Sequence, residues 1–329
     1  MGLTGKKYLV AVDLGATWVR VALSDGKGKI RERVQETVNI SSANAISRQI
    51  VRLINFVCKK NRVKPLHLLG IGIASAGPLN IKEGTIINST NLPFDYIPIT
   101  SPISNELGVP SYLINDCTAA VLGERAFGAG KKLDNLFYVT IGTGIGGGAI
   151  VDGNLLLGKD GNAVEIGHLT IDYEGRLKCG CGKRGHWEAY CSGKNMPNYV
   201  KMRINEISKG KWKKSLLFKN VKGDISRLSS KILFDSAKNG DELALQLVEE
   251  IGVLNAIGFA NIINAYDPSL ITVGGTVALR NDKLILSYIV KYVKNYAVNR
   301  IPKIVITPLG KDVGIYGGIA TVLKFGCNM

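Results

Sequence analysis

The chain has 329 residues, 46% of them hydrophobic, a mean hydropathy of +0.12 and a net charge of +16. That length suits two domains rather than one small core, and the apolar content excludes a disordered chain. No uninterrupted apolar run approaches the roughly 18 residues of a membrane span, no export signal is evident, and six scattered cysteines suit a reducing, cytoplasmic setting, so no membrane partner is expected. The positive charge raises nucleic-acid binding. Much of it is concentrated between Lys194 and Lys231, however, with no zinc-finger or RNA-recognition signature, and reads as a solvated basic face.

In chain order, Tyr8 to Asp13, Trp18 to Leu23 and Lys29 to Gln35 are rich in β-branched and aromatic residues. Gly15 and Asp25-Gly26 separate them, which predicts an antiparallel meander. An amphipathic helix follows over Ala43 to Lys60, then a buried strand over Leu68 to Ala74. Leu113 to Asn115 reads as a short strand and Thr118 to Phe127 as a helix. A second meander spans Leu136 to Ile141, Gly148 to Asp152 and Asn154 to Leu157, with Gly142 and Asp152-Gly153 at its turns. Lys201 to Lys231 reads as a surface helical excursion, Leu243 to Ala265 as a long helix, Leu270 to Val273 as a strand and Ile315 to Phe325 as the last helix. Both pairs of turns recur at one constant offset, so the chain reads as two related α/β halves facing each other.

The turn Asp13-Leu14-Gly15-Ala16-Thr17 offers backbone N–H groups at Gly15 and Ala16, the Thr17 hydroxyl and the Asp13 carboxylate. These are parts of a nucleotide-phosphate site with a metal-ordering acid. Thr140, Gly142, Thr143 and Gly144 form the matching turn in the second half. The Gly142, Gly144, Gly147 spacing also fits a dinucleotide-binding fingerprint, but the chain runs on as strand where that fold needs a helix. A Walker loop is excluded because Gly130-Lys131 lacks the flanking glycine and hydroxyl.

Asn115-Asp116 ends a short apolar strand just before a helix, so Asp116 reads either as the helix cap or as a general base at a strand end. His168, Cys179, Cys181 and His186 supply four nitrogen and sulfur ligands on a glycine-rich loop, a closed structural set of the kind zinc prefers. Glu165 and Glu188 flank it and suit the recognition of sugar hydroxyls.

These residues carry a resemblance. From Asp13–Thr17 through Gly72–Pro78, Asn115-Asp116, Thr140–Gly148, Glu165–His168, Cys179–Ser192 and Gly274-Gly275, the chain resembles the repressor/open-reading-frame/kinase (ROK) sugar kinases of the actin-like ATPase superfamily. The resemblance implies an α/β fold of two actin-like ATPase (ribonuclease H-like) lobes with a cleft between them. The lobes expected are 1–117 with about 311–329, and 118–310. It implies Asp116 as catalytic base and Gly77, Thr90, Asn91, Asn115, Glu165, His168 and Glu188 around the sugar. The turns at Gly15 and Gly142–Gly144 would face the ATP phosphates, and Gly274 and Gly275 the adenosine.

The family pattern has a third cysteine where this chain has His186, for which imidazole or Cys191 could substitute. The implied activity is ATP- and Mg2+-dependent phosphorylation of a hexose, glucose foremost, at its 6-hydroxyl, with structural Zn2+ and a homodimeric or homotetrameric assembly. N-acetylglucosamine or N-acetylmannosamine as acceptor, a sugar-responsive regulator without catalysis, and a protein-directed ATPase are the competing readings. A first strand at Tyr8 leaves no expected place for the helix-turn-helix of the family's repressors, and nucleic acid is not an expected partner.

Overall fold

A computed structural model describes residues 8–89 and 92–326. The chain forms two compact units, one of Met1–Tyr138, Gly148–Val164 and Thr307–Met329, the other of Val139–Gly147 and Glu165–Ile306.

The first unit is built on β1 (Tyr8–Leu14), β2 (Trp18–Asp25) and β3 (Ile30–Thr37), an antiparallel meander as the turn residues predict. β4 (Leu68–Ser75) and the strand Ser111–Asn115 extend it in parallel, giving the order β3, β2, β1, β4, Ser111–Asn115. Strand side chains alternate between faces, and here both faces are covered. Val10, Val12 and Leu14 pack toward Ile46, Ile50, Leu53, Ile54 and Val57 of the helix Ala43–Lys60. Leu9 and Ala11 pack toward Ile315, Ile319 and Val322 of the closing helix Val313–Phe325.

The helix Ala43–Lys60 starts where expected because the Ser42 hydroxyl accepts the Ala45 N–H at 3.2 Å, and its apolar residues recur at helical spacing. The closing helix lies so close to β4 that a Cβ on Gly72 would stand 2.0 Å from the Gly318 carbonyl oxygen. Only glycine permits that approach. A small sheet of Leu79–Asn80, Thr85–Ile87 and Tyr96–Pro98 and the helix Thr100–Leu107, none of them expected, fill the connection from β4 to Ser111–Asn115.

The second five-stranded sheet repeats the plan in the order Asn154–Leu155, Ile145–Val151, Leu136–Ile141, Leu270–Gly274, Lys303–Ile306. Its fourth and fifth strands are again parallel, Leu270 opposite Lys303. The constant offset of the turns is therefore the trace of one topology used twice.

In the second unit, Asp241 caps the 25-residue helix Glu242–Tyr266 by accepting from the Leu243 and Ala244 N–H groups. By length and mean hydropathy this helix could cross a membrane, but Asn255, Asn261 and Asn264 interrupt its apolar run, and 61% of its apolar 18-residue window is buried within the protein. Phe259 meets the Trp187 ring edge to face at 5.7 Å, and the Trp187 indole donates to Asn255 at 2.9 Å. The basic excursion consists of the short helices Met196–Glu206, Lys209–Lys214 and Leu216–Asn220 before Ser230–Lys238. Ser208, Ser215 and Ser229 cap the last three.

Candidate active site

In the first unit the C-terminal ends of three neighbouring parallel strands bring the candidate residues into line. Asp13 lies opposite Ala74, and Ser75 opposite Asn115, so Asp13, Ser75 and Asn115-Asp116 share one edge of the sheet, where open α/β sheets bind ligands. Asp13 also lies opposite Arg20 on β2 and pairs with its guanidinium. Its carboxyl packs against Gly314, where a Cβ would come within 2.6 Å of Oδ2. Burial raises the Asp13 pKa, Arg20 opposes that shift, and the charge of Asp116 adds to it.

The two readings of Asp116 separate here. Asn115, not Asp116, caps the helix Asp116–Ala126: its Oδ1 accepts from the Cys117 and Thr118 N–H groups at 2.9 and 3.2 Å. Asp116 is the first helical residue, and its carboxylate accepts from the Cys117 N–H at 2.8 Å and from the Cys117 thiol. No basic side chain pairs with it among the described residues. Burial pushes its carboxyl above the ordinary 3.8.

The turn after β1 departs from expectation in one respect. The Gly15 N–H is not free, because it closes the turn on the Trp18 carbonyl at 2.9 Å. Ala16 and Thr17 stand exposed at the tip. Gly77 lies beside Asn115: a Cβ built on it would meet Asn115 Nδ2 at 3.8 Å and Asn162 Oδ1 at 3.4 Å. Thr90 and Asn91 lie outside the described residues.

Asn162 was not foreseen. Its side chain accepts the Leu79 N–H at 3.0 Å and donates to the Leu79 carbonyl at 2.9 Å, pinning the segment after Gly77 like a strand partner. Arg20 was also missed, although its place opposite Asp13 follows from the hairpin register.

In the second unit, Gly142 closes its turn on the Gly144 carbonyl at 3.0 Å. The turn is braced from outside, since the Gly193 N–H donates to Gly142 at 2.7 Å and the Lys194 N–H to Thr143 at 3.2 Å. Thr143 is exposed. Gly274 ends its strand, and Gly275, at φ 89, lies against Thr140 and Ile141, so the two candidate nucleotide segments are neighbours.

Glu188, on the short helix Trp187–Cys191, accepts the Ile145 N–H at 2.9 Å. It thereby ties the loop that carries it to the glycine turn. Glu165 is half-exposed, with Oε2 3.9 Å from His168 Nε2. Val164 precedes it at φ 68, a conformation that costs a β-branched residue ~1–2 kcal/mol and is held here in a buried position.

His168, Cys179, Cys181 and His186 converge, their ligand atoms all within 4.8 Å of one another. Cys179 Sγ is 3.7 Å from His168 Nδ1, and Cys181 Sγ is 3.3 Å from His186 Nδ1. Tetrahedral zinc places such atoms about 3.3–3.8 Å apart, so the donor set and its spacing fit that ion. Cys191 is not part of the set: its thiol is buried and directed to the Ile251 carbonyl.

A repeated α/β sheet with acidic strand ends and paired glycine turns defines the actin-like class of phosphoryl-transfer proteins. Within it, the ROK family model matches residues 9–324, and the chain belongs to the ROK family. A glucokinase of Pyrobaculum calidifontis is 34% identical over 97% of this chain and 95% of its own. Among solved structures, a ROK glucokinase of Streptomyces griseus in complex with glucose and AMPPNP is 28% identical with a TM-score of 0.78, covering 96% of this chain and 99% of that one. The ROK hexokinase of Thermus thermophilus is 26% identical with a TM-score of 0.80, covering 98% and 100%.

Proposed function

We propose that this protein is an ATP:hexose 6-phosphotransferase with glucose as its favoured acceptor and Asp116 as the general base. The observation that carries this reading is a half-buried carboxylate at the end of parallel strands: Asn115 holds the helix's cap position, and no cation pairs with Asp116 among the described residues. Near full-length likeness to glucokinases supports the substrate pair.

In the step assigned to it, Asp116 takes the proton of the C6 hydroxyl while that oxygen forms its bond to the γ-phosphorus and the bond to the ADP oxygen breaks. Positioning and charge neutralisation supply most of the rest. A carboxylate with a raised pKa is the stronger base, provided the working pH keeps it ionised. Glu165, Glu188 and His168 are assigned to sugar hydroxyls, and Gly77 and Asn115 are assigned to the same substrate. Thr90 and Asn91 join that set on family resemblance.

The turns Gly15–Thr17 and Thr140–Gly144 serve the ATP phosphates, with Gly274 and Gly275 toward the adenosine. Asp13 would be the side chain that holds Mg2+, which on entering with ATP would supply charge neutralisation on the phosphate oxygens. His168, Cys179, Cys181 and His186 would hold Zn2+, which supplies a cross-link fixing the loop that carries Glu188. With Nδ1 committed to that set, His168 keeps Nε2 for the sugar. The enzyme works in the cytoplasm as a homodimer or homotetramer, an assembly that light scattering after gel filtration measures.

An ADP-release assay across glucose, mannose, fructose, N-acetylglucosamine and N-acetylmannosamine tests the assignment. Glucose is expected to give the highest kcat/KM, with little ATP turnover in the absence of sugar. Preference for an N-acetylhexosamine would contradict the acceptor, and sugar binding without turnover would point to a regulator.

A further inference from the structure

The first unit holds a cavity of about 140 Å3 beside β2 and β3. Its wall carries Arg20, Arg33, Lys311 and Asp312, and Ile30 and Ile315 contribute to an apolar floor. Three cations against one carboxylate leave an uncompensated positive field, and gathering like charges is unfavourable unless an anion answers them.

The pairing inside the cavity leaves donors to spare. Arg20 spends one Nη on Asp13 and the other on the Lys311 carbonyl at 2.8 Å. Arg33 spends only Nη1, on Asp312 at 3.1 Å. The exposed Lys311 ammonium has no side-chain partner among the described residues. The 13-residue closing helix also starts at this wall, and Asp312 makes no side-chain cap bond to it, so the positive end of the helix adds to the field. At ~30 Å3 per water the volume equals four to five waters, about the space of a phosphoryl group bearing two or three carbons.

We infer that this cavity is a second anion site for a small phosphomonoester, its phosphoryl group held by Arg33, Lys311 and Arg20 and its short carbon body resting on Ile30 and Ile315. The bound dianion competes with Asp13 for the Arg20 guanidinium, so occupancy loosens the Asp13–Arg20 pair. Binding itself stands apart from the kinase reading. Its consequence, a higher KM for Mg–ATP, rests on the role given to Asp13.

Calorimetric titration of the full chain with ethyl phosphate, and separately with inorganic phosphate, at fixed ionic strength in chloride buffer, tests the site. A saturable one-to-one heat is expected, with ethyl phosphate the tighter ligand. In the double variant Arg33→Gln, Lys311→Gln, affinity should fall at least tenfold while kinase turnover without added phosphate stays within twofold.

No saturable heat, or equal affinity in parent and variant, overturns the site, and tighter binding of inorganic phosphate overturns the apolar floor. If the double variant lacks native circular dichroism, Lys311→Glu alone, at an exposed position, gives the same test. In kinetics, ethyl phosphate should raise the Mg–ATP KM of the parent and not of the variant. An equal rise in both would mean competition at the nucleotide and would remove the coupling. If the kinase reading itself fails, the titration still reports on the cavity.

Discussion

Gly144→Ala is a one-carbon change whose effect can be worked out from the contact it would make. The new Cβ would lie 2.5 Å from Glu188 Oε2, whereas ordinary contact begins at 3.4 Å, so the carboxylate must retreat by about 0.9 Å. Gly144 is not among the residues with positive φ, so the backbone accepts alanine and the strain falls on the flexible end of Glu188. The retreat stretches or breaks the 2.9 Å bond from the Ile145 N–H, which is what orients Glu188. A hydrogen bond to a charged group contributes ~1.5–3 kcal/mol. If Glu188 grips a sugar hydroxyl, its misplacement should therefore lower kcat/KM for glucose by about 10- to 100-fold.

Steady-state kinetics with glucose varied at saturating ATP gives that number. In a Glu188→Gln background the alanine should add little, because the two changes strike one interaction. A Gly144→Ala enzyme with kcat/KM for glucose within twofold of the parent, or fully additive effects in the double variant, would refute the role given to Glu188.

Four further outcomes are expected. Because burial raises Asp116, the acid limb of kcat/KM should lie above the ordinary carboxylate value of 3.8, as a pH–rate profile would show. The same burial makes the ionised form costly: a folded-state pKa above the unfolded one means stability falls as pH rises through that interval. Asp116→Asn should then melt at a higher temperature than the parent near pH 8, with the difference shrinking toward pH 4 in a thermal melt. Asn162→Ala removes both bonds to Leu79 and should raise the KM for glucose several-fold with kcat less affected, by the same kinetic assay. Elemental analysis should find about one zinc per chain, and Cys181→Ser, at the exposed corner of the ligand set, should lose it and raise the KM for glucose.

Much of the fold was legible because local chemistry announced it. An amphipathic run marked the helix Ala43–Lys60, and the matched Asp25-Gly26 and Asp152-Gly153 turns betrayed the repeat. Glycine misled at two places. The strand Ile145–Val151 begins inside a run of glycines that local propensity argues against, since its Gly148 must lie against the Cys117 carbonyl. The closing helix, expected from Ile315, starts at Val313, so that Gly314 is its second residue and makes room for Asp13.

The two- and three-residue strands of the small sheet carry no period to detect. At the site, residue types and spacing pointed to Asp13, Asp116 and the four zinc-type ligands. The grip of Asn162 on a segment 83 residues away and the tie from Glu188 to Ile145 depend on tertiary contacts that one sequence does not display. The two fates of Asp116 were separable only by seeing which side chain accepts the helix's first N–H groups.

The most direct test of the central claim is single-turnover ATP-to-glucose phosphoryl transfer by Asp116→Asn, with glucose affinity measured on the same preparation. The account predicts that the rate falls at least ~10²-fold while glucose affinity is largely retained. Transfer at the parent rate by a folded Asp116→Asn protein would contradict it.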